Sequence, residues 1–115
     1  IVGGGVLIHQ FSKIGAHSMI GGGSLVRKDV PPFCKAGKDP FSFKGVNSIG
    51  LKRRNFSRET INQIQNIYRI IYLEGRNTTQ AINKIKDDIK NSEEKKIVLD
   101  FIKNSDRGII KGLFD

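Results

Sequence analysis

The sequence has one cysteine, Cys34, one methionine and no tryptophan. A single cysteine cannot close an internal disulfide, so nothing marks an oxidising compartment, and without a neighbouring His or acid no reactive thiolate is expected. No apolar run approaches the roughly 18 residues that a membrane-spanning helix needs. The N-terminal stretch also lacks the charged-then-apolar layout of a secretory signal, so the default expectation is a cytoplasmic protein. Acids are scarce: 11 Asp and Glu stand against 20 Lys and Arg, a formal charge of +9. The excess is uneven, with nine bases and two acids in residues 1–56 but eleven and nine in residues 57–115. Such a field favours phosphorylated ligands or acidic protein partners. Nucleic acid is not expected, because no reader module is recognisable and aromatic residues are not interleaved with the bases.

What the chain does have is a beat of six. Aliphatic residues recur at Val2, Ile8, Ile14, Ile20 and Val26, often followed by glycine (Gly3, Gly15, Gly21). A small or β-branched residue comes four positions later, at Val6, Ser12, Ser18, Ser24 and Val30. A period of six fits neither a helix at 3.6 nor a lone amphipathic strand at 2, so its simplest meaning is a coil of short parallel strands, the hexapeptide repeat. The aliphatics point into the coil, the small residues fit its corners, and the glycines are expected to supply turn dihedrals. The pattern resembles left-handed parallel β-helices, in which three units complete one triangular coil. Five units are under two coils, too few to bury their own faces, and the chain opens at Ile1 inside a repeat. Further coils are therefore expected upstream.

The repeats stop at Val30-Pro31-Pro32, because proline removes the amide donors of a further rung. From residue 31 to about 56 runs a segment read as an irregular linker or cleft loop, rich in Gly, Pro, Lys and Phe, whose Phe33, Phe41 and Phe43 imply that it packs. Helical spacing occupies residues 57–115. Ser57 is a plausible N-cap for the stripe Ile61, Ile64, Ile67, Tyr68, Ile71, with Gly75 as a stop. Asn77 with Gln80 has the form of a capping box for a helix bearing Ile82, Ile85 and Ile89. Asn91 with Glu94 could open a third helix presenting Ile97, Val98, Phe101 and Ile102. The expected architecture is the last coils of a β-helix over 1–30, the linker over 31–56, and a small C-terminal α-helical domain over 57–115.

Few residues could carry chemistry. The only histidines, His9 and His17, fall in the repeats where side chains face outward, and as isolated residues they are surface histidines. No second Cys or carboxylate stands at ligand spacing, so no metal site is expected. The run Leu51-Lys52-Arg53-Arg54 is the sharpest charge feature. Forked guanidinium groups beside glycine-containing backbone suit a nucleotide-sugar diphosphate, although a solvated basic patch is the plainer reading.

The stretch HQFSKIGAHSMIGGGSLVRKDVPPF, followed by GVNSIGLKRRNFSRETI and the closing SDRGII, resembles the C-terminal portion of the bacterial UDP-N-acetylglucosamine O-acyltransferases. The hexapeptide pattern alone is shared by many enzymes; the GVN…GLKRR…FS linker before a helical tail is more specific. The resemblance implies a homotrimer that transfers an (R)-3-hydroxyacyl group from acyl carrier protein to the 3-hydroxyl of UDP-N-acetylglucosamine, the first step of lipid A synthesis, without a cofactor. It implies that the histidine base lies in an upstream coil, so no catalytic residue is expected in this chain. By position, His9 and Gln10 match cleft residues near the nucleotide-sugar, Asn47 a uridine-side asparagine, and Arg53 and Arg54 the basic pair near ribose and diphosphate. Gly22 matches the acyl-chain ruler. Ile49 stands where many members carry an acid, a departure from the pattern. An alternative is a non-catalytic trimeric hexapeptide scaffold whose basic face binds an acidic protein or a phosphate ligand.

Overall fold

Parallel bridges recur along the first 37 residues at a nearly constant stride. In the computed structural model, which describes residues 1–4, 7–8, 13–22, 25–26, 28–37, 42–105 and 108–110, Val2 pairs with Ile20, Leu7 with Leu25 and Ile8 with Val26, each 18 residues on. Ile14 then pairs with Val30, Met19 with Lys35 and Ile20 with Ala36, only 16 residues on. The strands are short: β1 (Leu7–Ile8), β2 (Met19–Ile20), β3 (Leu25–Val26) and β4 (Cys34–Gly37). Successive rungs share hydrogen bonds such as Gly15 N to Val30 O at 2.6 Å and Phe33 N to Ala16 O at 2.8 Å.

The two-residue shortening corrects the sequence reading at Val30. The beat of six assigns it a corner, but it pairs with Ile14, is fully buried, and so takes an inward aliphatic place early. The role expected of the repeat glycines also changes. A methyl group on Gly15 would lie 2.2 Å from the Pro32 nitrogen, and one on Gly3 would lie 2.7 Å from the Gly22 nitrogen, so glycine is needed because the next rung passes there. Among the described residues of this part of the chain, left-handed backbone belongs instead to His17 at φ 58° and Phe33 at φ 69°.

Residues 31–56, read as irregular, hold regular elements. β4 pairs in parallel with β2 on one side and antiparallel with β5 (Ser42–Val46) on the other, with a register shift at Lys35/Ala36. A one-and-a-half-turn helix α1 (Ser48–Arg53) follows. The pairing was hidden because β4 alternates only over Cys34, Lys35 and Ala36 before Gly37 is buried as well, too short a run to read as a strand.

Three longer helices complete the fold. α2 (Arg58–Tyr72) is capped by Ser57, whose hydroxyl accepts from the Thr60 amide at 3.1 Å. α3 (Thr78–Asp88) carries the full capping box, with Asn77 accepting from Gln80 N and Gln80 from Asn77 N. α4 (Glu93–Lys103) opens one residue later than expected, at Ser92, which accepts from the Lys95 amide. Asn91 is drawn off to receive the Lys95 ammonium, which also donates to the Lys86 and Ile89 carbonyls. A cation at the C-terminal end of α3 meets the negative pole of that helix, which explains how a lysine 5% exposed is tolerated in an apolar stripe.

Two apolar clusters form. Ile61, Ile64, Ile67 and Tyr68 of α2 pack with Ile85 of α3, Val98 and Ile102 of α4, Leu51 of α1 and Phe33 of the coil corner. Each fully buried aliphatic contributes on the order of 1.5–3 kcal/mol. The second cluster joins Ile20, Val30, Cys34, Ala36 and Ile110. Burial pushes the Cys34 thiol far above its ordinary range, and Sγ donates to the Pro31 carbonyl at 3.0 Å, which leaves it inert. The chain end returns to the coil. Asp29, fully buried, bridges to Ile109, and its carboxylate accepts from the Lys13 amide at 2.6 Å and from the Ser105 hydroxyl. Among the described residues no helix is long and apolar enough to cross a membrane, and no group of three His, Cys, Asp or Glu is placed to hold a metal ion.

Candidate functional site

Consecutive rungs turn the same corner at His17 and at Phe33, both in left-handed backbone. Their rings stack 5.8 Å apart and 8° from parallel, a spacing set by the distance between neighbouring strands. Phe56 closes on the imidazole edge-to-face at 5.1 Å and on Phe33 at 6.0 Å. The Phe33 and Phe56 rings thus hold the imidazole in one orientation.

Helix α1 lies across this corner and is tied to it at both ends. At its start, the Asn47 amide nitrogen hydrogen-bonds the Phe33 carbonyl at 2.7 Å. Asn47 occupies the N-cap position, yet its side chain makes no cap bond. Its Nδ2 donates instead to the His17 main-chain carbonyl at 3.2 Å. The amide crosses Gly50 on the way: a methyl group there would lie 2.5 Å from Nδ2. Asn47 is 5% exposed, and its Oδ1 has no hydrogen-bond partner among the described residues. A carbonyl acceptor so placed suits a ligand N–H.

At the other end, Arg54 caps α1 through main-chain bonds to Gly50 and Leu51, and its Nη1 stands 3.1 Å from His17 Nδ1. A guanidinium can only donate, so Nδ1 is the acceptor and the ring proton sits on Nε2. Partial burial and then the Arg54 charge hold His17 below its ordinary value of 6.5, so the ring is neutral at pH 7. A neutral acceptor orients Arg54 without cancelling its charge, as a carboxylate would. Among the described residues the ion pairs are Arg76 with Glu74 and Lys84 with Asp88, so Lys52, Arg53 and Arg54, all exposed, keep their full charge for an anion.

Two of the sequence-derived site residues, Asn47 and Arg54, therefore meet on His17. Arg53 ends α1 and points to solvent with no side-chain bond among the described residues. Gly22 lies apart on the coil, exposed, where a methyl group would come within 3.0 Å of the Gly4 carbonyl oxygen. His9 and Gln10 lie outside the described residues. Ile49 is 66% exposed and leaves an apolar side chain at the surface. His17 was set aside in the sequence because three residues after an inward aliphatic reads as an outward surface position. Its partners Phe33 and Phe56 are distant in sequence, and no short-range pattern joins them.

The chain is similar to proteins of known kind. Residues 29–110 match the family model for domain 2 of UDP-N-acetylglucosamine O-acyltransferase. A curated relative from Thiobacillus denitrificans, an acyl-[acyl-carrier-protein]–UDP-N-acetylglucosamine O-acyltransferase, is 41% identical over 96% of this chain, and one from Stenotrophomonas maltophilia is 38% identical. The chain spans 43% of the length of each. The crystal structure of a UDP-N-acetylglucosamine acyltransferase from Bacteroides fragilis superposes with TM-score 0.95 at 47% identity, covering 96% of this chain and 44% of its own. Its counterpart from Acinetobacter baumannii gives 0.91 at 40%, covering 96% and 43%. With the family model covering most of its length, the chain belongs to the UDP-N-acetylglucosamine O-acyltransferase family.

Proposed function

We propose that the protein containing this chain transfers an (R)-3-hydroxyacyl group from acyl carrier protein to the 3-hydroxyl of UDP-N-acetylglucosamine, the first step of lipid A synthesis. The observation that carries this is the corner at which Asn47 and Arg54 converge on His17: a buried amide whose acceptor has no partner among the described residues, and a guanidinium with no ion pair among them. A uracil offers an N–H to the first and a diphosphate offers oxygens to the second. In the reaction the sugar hydroxyl oxygen attacks the thioester carbonyl, the C–S bond breaks, and the carrier leaves as a thiol once it has gained the proton given up by the hydroxyl. This chain binds and orients; the histidine base that takes that proton belongs to upstream coils.

The rest of the architecture follows the same reading. The rungs up to Gly37 are the last coils of a left-handed β-helix, β5 and α1 belong to the cleft segment, and α2 to α4 form the helical domain of a cytoplasmic homotrimer. His9 and Gln10 line the nucleotide-sugar cleft, Arg53 joins Arg54 on the diphosphate side, and Gly22 leaves room for a long acyl chain. The exposed Lys28, Lys52, Arg58 and Arg69 steer the acidic carrier protein, so its binding weakens as salt rises.

The test is turnover. Full-length protein supplied with a 3-hydroxyacyl carrier-protein thioester and UDP-N-acetylglucosamine is expected to yield the O-acylated nucleotide sugar by mass spectrometry and to release one carrier thiol per product. Thioester consumption without an acylated nucleotide sugar contradicts the proposal.

A further inference from the structure

Arg54 ends on a long, rotamer-rich side chain, and fixing such a chain on a ligand costs up to about 2 kcal/mol in lost freedom. The cost falls if the guanidinium is already held. Here it is held by a ring that is itself locked between Phe33 and Phe56, at the 3.1 Å contact to Nδ1. The same residue offers its main-chain carbonyl to Asn47 Nδ2 at 3.2 Å. His17 itself stands in left-handed backbone at φ 58°. His17 therefore touches both residues that flank α1.

We propose that His17 is a positioning residue for nucleotide-sugar binding: its Nδ1 aims the Arg54 guanidinium and its carbonyl anchors the Asn47 amide, so one corner residue fixes the separation of both ligand-binding groups. The inference rests on the nucleotide-sugar reading above. It assigns His17 no contact with substrate and no part in proton transfer. His17 acts on the ligand through Arg54, by orienting it, and through Asn47, by holding its Oδ1 toward the cleft.

Full-length wild type, His17→Phe, His17→Ala, His17→Asn, Arg54→Ala and the His17→Phe/Arg54→Ala double variant are compared for UDP-N-acetylglucosamine Kd, KM and kcat. Thermal melts establish that each is folded. Phe keeps the ring packing and loses the acceptor; Ala serves if Phe does not fold. Asn tolerates a positive φ and restores an acceptor near the Nδ1 position. Loss of one orienting charge-assisted hydrogen bond is expected to raise Kd and KM about tenfold. kcat at saturating nucleotide sugar is expected to hold, Asn to recover most of the loss, and the double variant to bind no worse than Arg54→Ala alone. Unchanged Kd in the Phe and Ala variants overturns the inference. So does an equal loss when His17→Phe is added to Arg54→Ala, because His17 then acts independently of that arginine. If the wild type itself fails to bind the nucleotide sugar, the functional proposal falls and this inference falls with it.

Discussion

The imidazole of His17 lies 8° from parallel to the Phe33 ring, because the two residues turn the same corner on successive rungs of the coil. The sixteen-residue final stride brings them into register, and the stack becomes the floor on which α1 is seated. The repeat thus shapes a corner: one rung supplies the histidine, the next supplies the aromatic support, and the segment between coil and helices supplies Asn47 and Arg54.

The protonation state of His17 makes stability depend on pH. Its folded value lies below the unfolded 6.5, through partial burial first and then the Arg54 charge. The unfolded chain therefore binds more protons between the two values, and stability falls as pH drops from about 6.5 toward the folded value, then levels. Melting temperatures across that window are expected to decline in the wild type and to decline less in His17→Asn. Equal slopes in both proteins rule out His17 as the source.

Gly50 tests the route of the Asn47 side chain. Gly→Ala in a helix ordinarily stabilises by about 0.5–1 kcal/mol. Here the new methyl would meet the Asn47 amide at 2.5 Å, and that amide is the movable partner. Gly50→Ala is expected to leave the melting temperature within about 3 °C of wild type while weakening UDP-N-acetylglucosamine binding about three- to tenfold. Calorimetric titration beside a melt separates the two effects, and unchanged affinity would show that the amide is not held where the ligand needs it.

Asp29 joins the coil to the chain end. Asp29→Ala strands the Lys13 amide and the Ser105 hydroxyl and is expected to cost about 2–4 kcal/mol, read as a shift in denaturant midpoint. Asp29→Asn keeps an acceptor for Lys13 and is expected to cost less than half as much. Equal losses in the two variants contradict the assigned hydrogen bonds.

Much of this was legible in the sequence, for physical reasons that vary by element. The beat of Val2, Ile14 and Ile20 shows in the parallel bridges because rung geometry repeats, although only Ile20 of the three is buried and Val2 is 50% exposed. The Ser57 and Asn77 caps were readable because capping is a contact across three residues. Asn91 misled because its amide serves a tertiary contact with Lys95, which no local rule weighs. Val30 misled because the coil shortens by two residues there, so a strict period overruns it. At the candidate site, Asn47 and Arg54 were named from a motif. Their convergence on His17 depends on stacking between residues sixteen apart and on a helix laid across them, which spacing cannot express.

The most direct measurement is isothermal titration of UDP-N-acetylglucosamine into full-length wild type, Asn47→Ala and Arg54→Ala. One site per subunit in the wild type is expected, weakened by at least about tenfold in each variant. Absence of binding in the wild type, or equal affinity in all three proteins, contradicts the claim that this corner holds the nucleotide sugar.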